Sequence, residues 1–304
     1  MSIKKAGKVG GSDRWFAAAA APWMGSLVVF FVLPLAGLFL LSLTGPTADG
    51  EGVRFSFANY ATIMDLSAGR LDVLWRTVRI GFTVVALSIL LAVPVAYHLA
   101  KIVRSPRFES LVLLLVSTTF LAGPLVRTVS WRGILGVHGL INETLVWSGL
   151  VEKPLLSLLY GEPAMLLALI YNAFPFLLFT AYLAMKVVDD RHLAAARDLG
   201  ATPAAAFFRI ALPLASPGII TGAVLVFVPT LSAVLEPEIL GGTSSRLMAT
   251  AIRDQFFHAR NWPLGATLTI VLIVVGGTAI GFIGLAFAWA CRFLGRFGLF
   301  VGAQ

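Results

Sequence analysis

Charged residues are scarce in this chain of 304 residues. Only 12% of them are Asp, Glu, Lys or Arg, which is about half the share found in soluble globular proteins. Hydrophobic residues make up 58% of the chain, and the mean hydropathy is +0.90. This shortage of charge excludes an ordinary soluble domain and predicts an integral membrane protein.

Residues that form disulfides or bind metals are also rare. Cys291 is the single cysteine, so no internal disulfide or cysteine cluster can form, and we interpret it as a small apolar helix residue. The four histidines lie in separate segments without the spacing of metal ligands, at His98, His138, His192 and His258. We therefore predict no metal site in this chain.

Catalytic motifs are missing as well. No stretch follows the phosphate-binding pattern G-x-x-x-x-G-K-[ST], and the glycine-rich "GKVGGS" near the N-terminus has a different spacing. No H-E-x-x-H motif, Ser/His dyad or aspartate pair falls within an apolar run. We predict that the chain is not an enzyme and holds no cofactor. The net charge of +8 is typical of a cytoplasmic membrane rim, so we expect no nucleic-acid partner.

Long apolar runs dominate the chain. A helix needs about 20 mostly apolar residues to cross the hydrocarbon, and six runs qualify: 17–43, 78–99, 110–130, 164–185, 214–235 and 264–290. The first resembles a secretory signal, but it continues to Leu43, so we interpret it as an uncleaved span. The sequence predicts an all-α integral membrane protein with six spans.

Proline is present inside most of these runs. Five runs have one, at Pro34, Pro94, Pro124, Pro175 and Pro229, and the sixth has Gly276, Gly277, Gly281 and Gly284 instead. A proline inside a helix removes a hydrogen bond and bends the helix, which suits a pathway that opens and closes. The alternative is that proline is simply common in membrane helices.

The distribution of Lys and Arg predicts the orientation. With the N-terminus in the cytoplasm, the inner segments hold 13 of the 23 Lys and Arg residues but only 5 of the 15 Asp and Glu residues. Positive charge collects on the cytoplasmic side of membrane proteins. We therefore expect both termini in the cytoplasm, and the connection 186–213 faces the same side.

This connection has the features of two helices joined by a tight turn. Residues 189–199 are good helix formers after an initial Asp. Gly200 is the usual residue of a left-handed C-cap, and Thr202–Pro203 is an N-cap followed by a first-turn proline. We predict a helix, a glycine turn and a second, amphipathic helix.

The second helix is predicted to place Phe207, Ile210, Ala211 and Leu214 on one face. Pro213 and Pro217 are then expected to turn the chain into the fifth span. Two interpretations of the connection remain open. Either it docks on a partner, which its polar residues Arg197, Asp198 and Arg209 contact, or it lies on lipid headgroups.

The stretch "AAARDLGATPAAAFFRIALPLASPGI", residues 194–219, resembles the EAA loop of ABC importer permeases. The matching positions are Ala195, Ala196, Gly200, Ile210, Leu212 and Pro213, with Arg197–Asp198 as is common there. In that family the loop forms a coupling helix that enters a groove on a cytoplasmic ATPase. Ala194 replaces the leading Glu of the pattern, and Asp198 or Asp190 is expected to compensate.

The resemblance extends to three further stretches, "RTVSWRGILGVHGLIN" (127–142), "PEILGGTSSRLMATAI" (237–252) and "ARNWPLGAT" (259–267), which look like those of spermidine/putrescine-type permeases. It implies a six-span type I ABC importer transmembrane domain over residues 75–290, with the EAA loop at 190–213. Residues 1–74 would form an N-terminal tail, the first span and a periplasmic loop, and residues 291–304 a cytoplasmic tail.

The same resemblance implies partners and a location. A cytoplasmic ATPase dimer would bind ATP and Mg, a second permease would form a heterodimer with this chain, and a periplasmic protein would capture the solute. The chain would lie in the lipid of a bacterial inner membrane. The residues expected to couple to the ATPase are Ala195, Ala196, Arg197, Asp198, Gly200, Thr202, Pro203, Phe207, Ile210 and Pro213.

The resemblance makes a polyamine the expected solute, with an amino-acid-like compound, an opine or ferric ion as alternatives. Ionisable residues near a membrane are functional candidates, and carboxylates with aromatic faces would hold a polyamine weakly. The candidates for the solute pathway are Glu236, Glu238, Tyr171, Phe174, Phe227 and Asn172. For Glu238 the alternative role is an ion pair with Arg246 or Arg253.

Two other function classes are weaker hypotheses. A stand-alone channel or ion-driven transporter needs charges or broken-helix sites within the membrane, and no carboxylate lies deep in an apolar run. An intramembrane enzyme needs a catalytic pair, which the runs do not contain.

Overall fold

The computed structural model describes residues 22–46, 53–65, 69–155, 158–242 and 245–296. The predicted N-terminal cytoplasmic tail, the start of the first predicted span and the end of the C-terminal tail lie outside these ranges.

Helices form nearly all of the described part. In chain order the elements are α1 (Pro22–Ser42), β1 (Thr44–Pro46), β2 (Val53–Phe55), α2 (Ala58–Met64), α3 (Arg70–Ile102), α4 (Pro106–Leu121), α5 (Pro124–Leu135), α6 (Leu140–Trp147), α7 (Glu162–Val187), α8 (Asp190–Asp198), α9 (Pro203–Leu231), α10 (Met248–Phe257) and α11 (Trp262–Arg296). A five-residue π-helical turn, Pro237–Gly241, lies between α9 and α10.

Five of these helices, α1, α3, α7, α9 and α11, are long and apolar enough to cross a membrane. The segments Pro106–Leu121 and Pro124–Trp147 pass the same test together but are bent by 97° where they meet. Counting this bent pair as one span gives six, and the predicted six-span helical architecture is confirmed. The antiparallel hairpin of β1 and β2, in which Gly45 lies opposite Arg54, is an addition that the sequence did not predict.

The third predicted span is therefore broken rather than kinked. Ala122 and Gly123 both adopt extended backbone angles, and Pro124 is the first residue of α5. A proline disfavours helical angles at the residue before it and is well suited to the first turn of a helix. The prediction that Pro124 lies inside a helix is wrong for this reason.

The other prolines interrupt their spans less. Pro94, Pro175 and Pro229 lie inside helices, as predicted. Pro34 follows a π-helical segment, Val28–Val32, and the helix continues through it.

The connection 186–213 continues into the following span without a turn at its prolines. Helix α9 runs unbroken from Pro203 to Leu231, so the prediction that Pro213 and Pro217 turn the chain is wrong. A π-helical segment, Phe207–Ala211, immediately precedes Pro213. Such a segment widens the helix locally and leaves room for a proline ring beside the preceding turn.

The centre of the molecule is formed by α3, α7 and α9, whose facing sides make one apolar cluster. Val84 of α3, Leu177 of α7 and Phe227 of α9 are fully buried in it. A Cβ added at Gly81 would lie only 2.7 Å from the ring of Phe227. The glycine on α3 thus makes room for the aromatic ring on α9, and dispersion forces over such contacts stabilise the bundle.

Small residues allow α7 and α9 to pack closely. Gly218 and Gly222 lie four residues apart on α9, and a Cβ at Gly218 would be 2.5 Å from the Cβ of Ala184. A Cβ at Gly222 would overlap the hydroxyl of Thr180 and lie 2.8 Å from Leu177 Cδ1. This is the small-xxx-small arrangement by which membrane helices approach each other without bulky side chains between them.

Helix α1 lies at the edge of the bundle. None of its apolar window is buried within the described chain, so its side chains are suited to lipid or to another subunit. At its C-terminal end, Ser42 Oγ lies 2.7 Å from the hydroxyl of Tyr60, and Thr267 Oγ1 of α11, which lies 2.8 Å from the carbonyl of Pro263, lies 3.1 Å from the carbonyl of Ser42.

The close crossing of α7 and α9 can be tested with Gly222→Ala. The added methyl group overlaps Thr180, and overpacking of this kind costs about 1–3 kcal/mol, so the midpoint of thermal unfolding in detergent should fall. Gly277→Ala in α11 is the matched control, because an added Cβ there has no atom within 4 Å and alanine favours a helix. Equal midpoints for the two variants would contradict the packing role of Gly222.

Candidate functional site

Helix α8 has well-defined ends. Asp189 accepts a hydrogen bond from the backbone N–H of Arg191 at 2.9 Å and so caps the first turn. At the other end Gly200 has φ +84°, and the N–H of Ala201 donates to the carbonyl of Ala196 at 2.9 Å. Only glycine adopts this left-handed conformation without strain. Gly200 has the conformation that the sequence predicts.

The turn after Gly200 leads directly into α9. Thr202 Oγ1 accepts a hydrogen bond from the N–H of Ala205 at 3.2 Å, and Pro203 occupies the first helical turn. These two residues act as the predicted cap. The helix they begin is a membrane span rather than a separate short helix, and Pro213 lies within it.

The apolar face of this helix start is turned toward the protein. The ring of Phe207 packs edge-on against Tyr97 of α3 with centroids 4.7 Å apart, and Ile210 contacts the central cluster, in which Ala211 is buried. Leu214, by contrast, is 53% exposed, so the prediction that it shares this face is wrong. Phe207 and Ile210 therefore hold the connection to its own bundle.

An exposed surface lies on α8 and at its C-terminal end. Leu193 and Ala196 face inward, whereas Ala195, Arg197 and Asp198 are exposed. Leu199, which follows them, is 90% exposed. We call Ala195 and residues 197–199, which lie in the loop predicted to couple to an ATPase, the coupling face. Its small, charged and apolar groups are suited to a protein partner rather than to water alone.

A buried lysine holds α8 against the spans. The Lys101 side chain is only 5% exposed, and its ammonium group donates to the carbonyl of Val188 and to Asp190 Oδ1, the latter at 2.6 Å. Asp190 therefore bonds within the chain while its side chain stays 83% exposed, and Asp198 is exposed as well. The sequence analysis missed Lys101 because its partner is 89 residues away.

A second set of polar contacts joins α4 to α7 near the same side. Lys186 Nζ lies 2.7 Å from Glu109 Oε1, and the hydroxyl of Tyr182 donates to the same carboxylate oxygen. The ammonium group of Lys186 also lies 5.5 Å from the centre of the Tyr182 ring. The first half of the broken span is thus bound to α7 by charge as well as by packing.

A cavity of about 410 Å³ lies between α5, α7 and α9. We call it the charged cavity, because Arg127 and Glu236 line it together with Asn172. The rest of its wall is mostly apolar and includes Phe176 and Pro229. A mostly apolar wall with a few polar groups is typical of a ligand pocket of this size.

Glu236 is 7% exposed, and its Oε1 accepts a hydrogen bond from Asn172 Nδ2 at 2.7 Å. Asn172 is ten residues from Glu162 at the start of α7, or about 15 Å along the helix axis. The chain after α9 therefore returns Glu236 to membrane depth. The sequence predicts that no carboxylate lies deep in the membrane, because Glu236 follows the end of the fifth apolar run, 214–235. The position of Glu236 beside Asn172 corrects this prediction.

Arg127 carries the opposite charge in the same cavity. Its Nε and Nη1 atoms are buried, and among the described residues no acceptor lies within hydrogen-bonding distance of them. The sequence analysis missed Arg127, although a lone arginine in an apolar run is a signal of function. The run 110–130 contained this signal.

The carbonyl of Leu225 is a further polar group on the cavity wall. Pro229 has no N–H to donate to the carbonyl four residues earlier, and both residues line the charged cavity. The proline therefore leaves an acceptor on α9 without its usual helical partner.

Glu238 is separated from Glu236. It forms an ion pair with Arg253, which also lies 3.2 Å from Asp254, and these two carboxylates raise the pKa of Arg253. These three residues line a more open cavity of about 660 Å³. The structure thus places Glu238 in the ion pair that was its alternative role, outside the charged cavity.

The aromatic candidates also lie outside the wall of the charged cavity. Tyr171 packs edge-on against Trp131 with centroids 5.6 Å apart, Phe174 packs against the central cluster, and Phe227 is fully buried within it. In the described part of the chain, no three His, Cys, Asp or Glu residues form a group able to hold a metal ion.

Known proteins resemble this chain in sequence. The family of binding-protein-dependent transport system inner membrane components matches residues 88–288. The spermidine/putrescine transport system permease protein PotB of Haemophilus influenzae is 32% identical over 253 residues, which cover 82% of this chain and 86% of that protein. PotB of Escherichia coli is 31% identical over 84% of this chain and 91% of its own length.

Solved structures resemble it in fold. A bacterial alginate ABC transporter, in complex with an alginate-bound periplasmic protein, contains a chain that matches 94% of this one with a TM-score of 0.74 and 17% identity. A second alginate transporter structure matches 91% with a TM-score of 0.67. The resemblance first seen in the cytoplasmic motif is thus confirmed: the chain belongs to the family of binding-protein-dependent transport system inner membrane components and has the transmembrane fold of a type I ABC importer.

Proposed function

We propose that this chain is the permease subunit of an ATP-driven importer that moves a polyamine across a bacterial inner membrane. The observation that carries the proposal is the buried carboxylate of Glu236 in a cavity between spans. A polyamine has ammonium groups on an apolar stem, and such a cavity offers it one charged and many apolar contacts. The names of the relatives at 31–32% identity support the same solute.

In the proposed assembly this chain contacts three kinds of protein partner and the surrounding lipid. A cytoplasmic ATPase dimer binds ATP and Mg and docks on the coupling face, and a second permease pairs with this chain as a heterodimer. A periplasmic binding protein delivers the solute from outside, and lipid surrounds the spans. Both termini lie in the cytoplasm, as the charge distribution favours. Residues 75–290 form the permease domain, with the EAA loop at 190–213.

The proposed mechanism is alternating access. Closure of the ATPase dimer on ATP moves the coupling face, and the bond of Lys101 to Val188 and Asp190 transmits this movement to α3 and α7. The central bundle then moves as a body, while the break at Ala122–Gly123 lets α4 and α5 move separately. The charged cavity opens to one side of the membrane at a time.

An amino-acid-like compound or an opine is the second candidate solute, and a separate observation favours it. Arg127 lines the same cavity as Glu236, and a guanidinium beside a carboxylate suits an amino-acid-like compound or an opine, which carries both charges. A ferric ion has weaker support, because Asn172 and a single carboxylate make a poor ligand set for it. A stand-alone transporter is not supported, since the whole family is binding-protein-dependent.

Docking of the ATPase can be tested with Leu199→Asp. A charge at this exposed apolar position should prevent its burial in the partner, because an unpaired buried charge is costly. We expect the amount of ATPase that co-purifies with the permease to fall by at least about tenfold. Leu150→Asp, a change at a leucine that is 74% exposed in a predicted outer segment, is the matched control. Co-purification of wild-type amounts with Leu199→Asp would refute docking at this surface.

The separate roles of Glu236 and Glu238 can be tested by replacing each with Gln. Glu236→Gln removes the charge in the cavity, so initial uptake of labelled spermidine by proteoliposomes with the complete transporter should fall by at least about tenfold. Glu238→Gln weakens an ion pair outside the cavity and should leave uptake within about twofold of the wild type. Equal losses in both variants would contradict the assignment of Glu236 to the pathway.

The solute can be identified through the binding protein. A bound ligand raises the melting temperature of the protein that binds it, so spermidine or putrescine should raise that of the periplasmic subunit. An amino acid and ferric ion serve as the alternative ligands in the same measurement. If the amino acid alone raises the melting temperature, the polyamine assignment is wrong.

A further inference from the structure

The charged cavity contains an unusual combination of groups for a path that carries cations. Glu236 is bound by one neutral donor, Asn172, at 2.7 Å. Arg127 lines the same wall with two buried N–H groups that have no acceptor among the described residues. A cation-binding cavity has no evident use for a guanidinium, and unpaired charged donors in apolar surroundings require an explanation.

The two charges act on each other through a mostly apolar space. Opposite charges attract over longer distances in such surroundings than in water, because the effective dielectric constant is lower. Arg127 therefore offsets part of the field of Glu236, even though the two side chains form no ion pair in the described structure. A solute ammonium that enters is attracted by the carboxylate and repelled by the guanidinium.

We propose that Arg127 is a tethered cation that competes with the ammonium groups of the solute for the charged cavity and so keeps solute binding weak. The proposal rests on the proposed import of a polyamine. Transport requires binding that is favourable enough for entry and weak enough for release. A carboxylate in an apolar cavity would otherwise retain a multivalent cation, and the permanent charge of arginine, which does not deprotonate in proteins, counteracts this retention.

The strength of this repulsion depends on the charge of the solute. The effect of a purely structural role of Arg127 would not depend on it. Coulomb repulsion by Arg127 grows with the number of ammonium groups near it, so it weakens the binding of a triamine more than that of a diamine. Arg127 thus determines the relative retention of spermidine and putrescine. Removal of its charge should shift this ratio toward spermidine.

The experiment measures retention by the complete transporter. Permease heterodimer, ATPase and binding protein are assembled in lipid nanodiscs, trapped with ATP and vanadate, and titrated with labelled spermidine or putrescine. With Arg127→Gln the dissociation constant for spermidine should fall by at least about tenfold, and that for putrescine by a smaller factor. Arg127→Lys keeps the charge and should stay within about twofold of the wild type.

Arg132→Gln is the matched control, because Arg132 is exposed on the same helix and does not line the charged cavity. Should Arg127→Gln fail to assemble, Arg127→Met keeps an unbranched stem and removes the same charge. The proposal is overturned if the charge-removing variant binds spermidine no more tightly than Arg132→Gln. It is also overturned if both dissociation constants change by the same factor.

Failure of the proposed function would be seen separately. If neither polyamine raises the melting temperature of the binding protein, the polyamine assignment fails, and the compound that does raise it becomes the label. Tighter retention of that compound by Arg127→Gln would still support the tethered cation. Weaker retention would show that Arg127 binds an anionic group of the solute and would overturn the proposal.

Discussion

In the hydrocarbon of a bilayer, a polar group has to find its hydrogen-bond partner within the protein, because water does not reach it. Several hydroxyl groups of the spans satisfy this constraint locally, but the buried Ser88 Oγ of α3 has no partner among the described residues. Thr83 and Thr230 each donate to the carbonyl four residues earlier, at 2.8 Å. The longer side chains satisfy it by joining different helices, as Lys101 does with Val188 and Asp190. Among the buried side-chain atoms without such a partner in the described residues, Arg127 Nε, Arg127 Nη1 and Asn172 Oδ1 belong to residues that line the charged cavity.

The lipid surroundings also determine how the helices are held together. Lipid tails are as apolar as leucine, so apolar side chains alone give the helices little reason to associate. Association depends on close packing, and α7 and α9 achieve it through Gly218 and Gly222. The proposed pathway therefore lies beside closely packed helices, and the parts proposed to move are α4 and α5, which are joined by two extended residues rather than by a helix.

The sequence predicted features that depend on neighbouring residues. The spans follow from apolar length, and the turn at Gly200 and the cap at Thr202 follow from the local conformations that these residues favour. Pro124 was placed inside a helix because composition alone does not distinguish a kink from a break. The bond of Lys101 to Asp190 was missed because it joins residues far apart in the chain. Glu236 was found as a candidate, but its return to membrane depth depends on the fold of the segment after α9, which no local pattern specifies.

The contact between Thr267 Oγ1 and the carbonyl of Ser42 joins residues 225 positions apart and connects the C-terminal end of α1 to α11. Ribosomes add about 5–20 residues per second, so α1 leaves the ribosome about 10–45 s before its partner exists. During synthesis the first span must therefore wait in the membrane with its apolar surface covered by lipid or by the insertion machinery. Contacts between α1 and α11 can therefore form only after α11 has been synthesised.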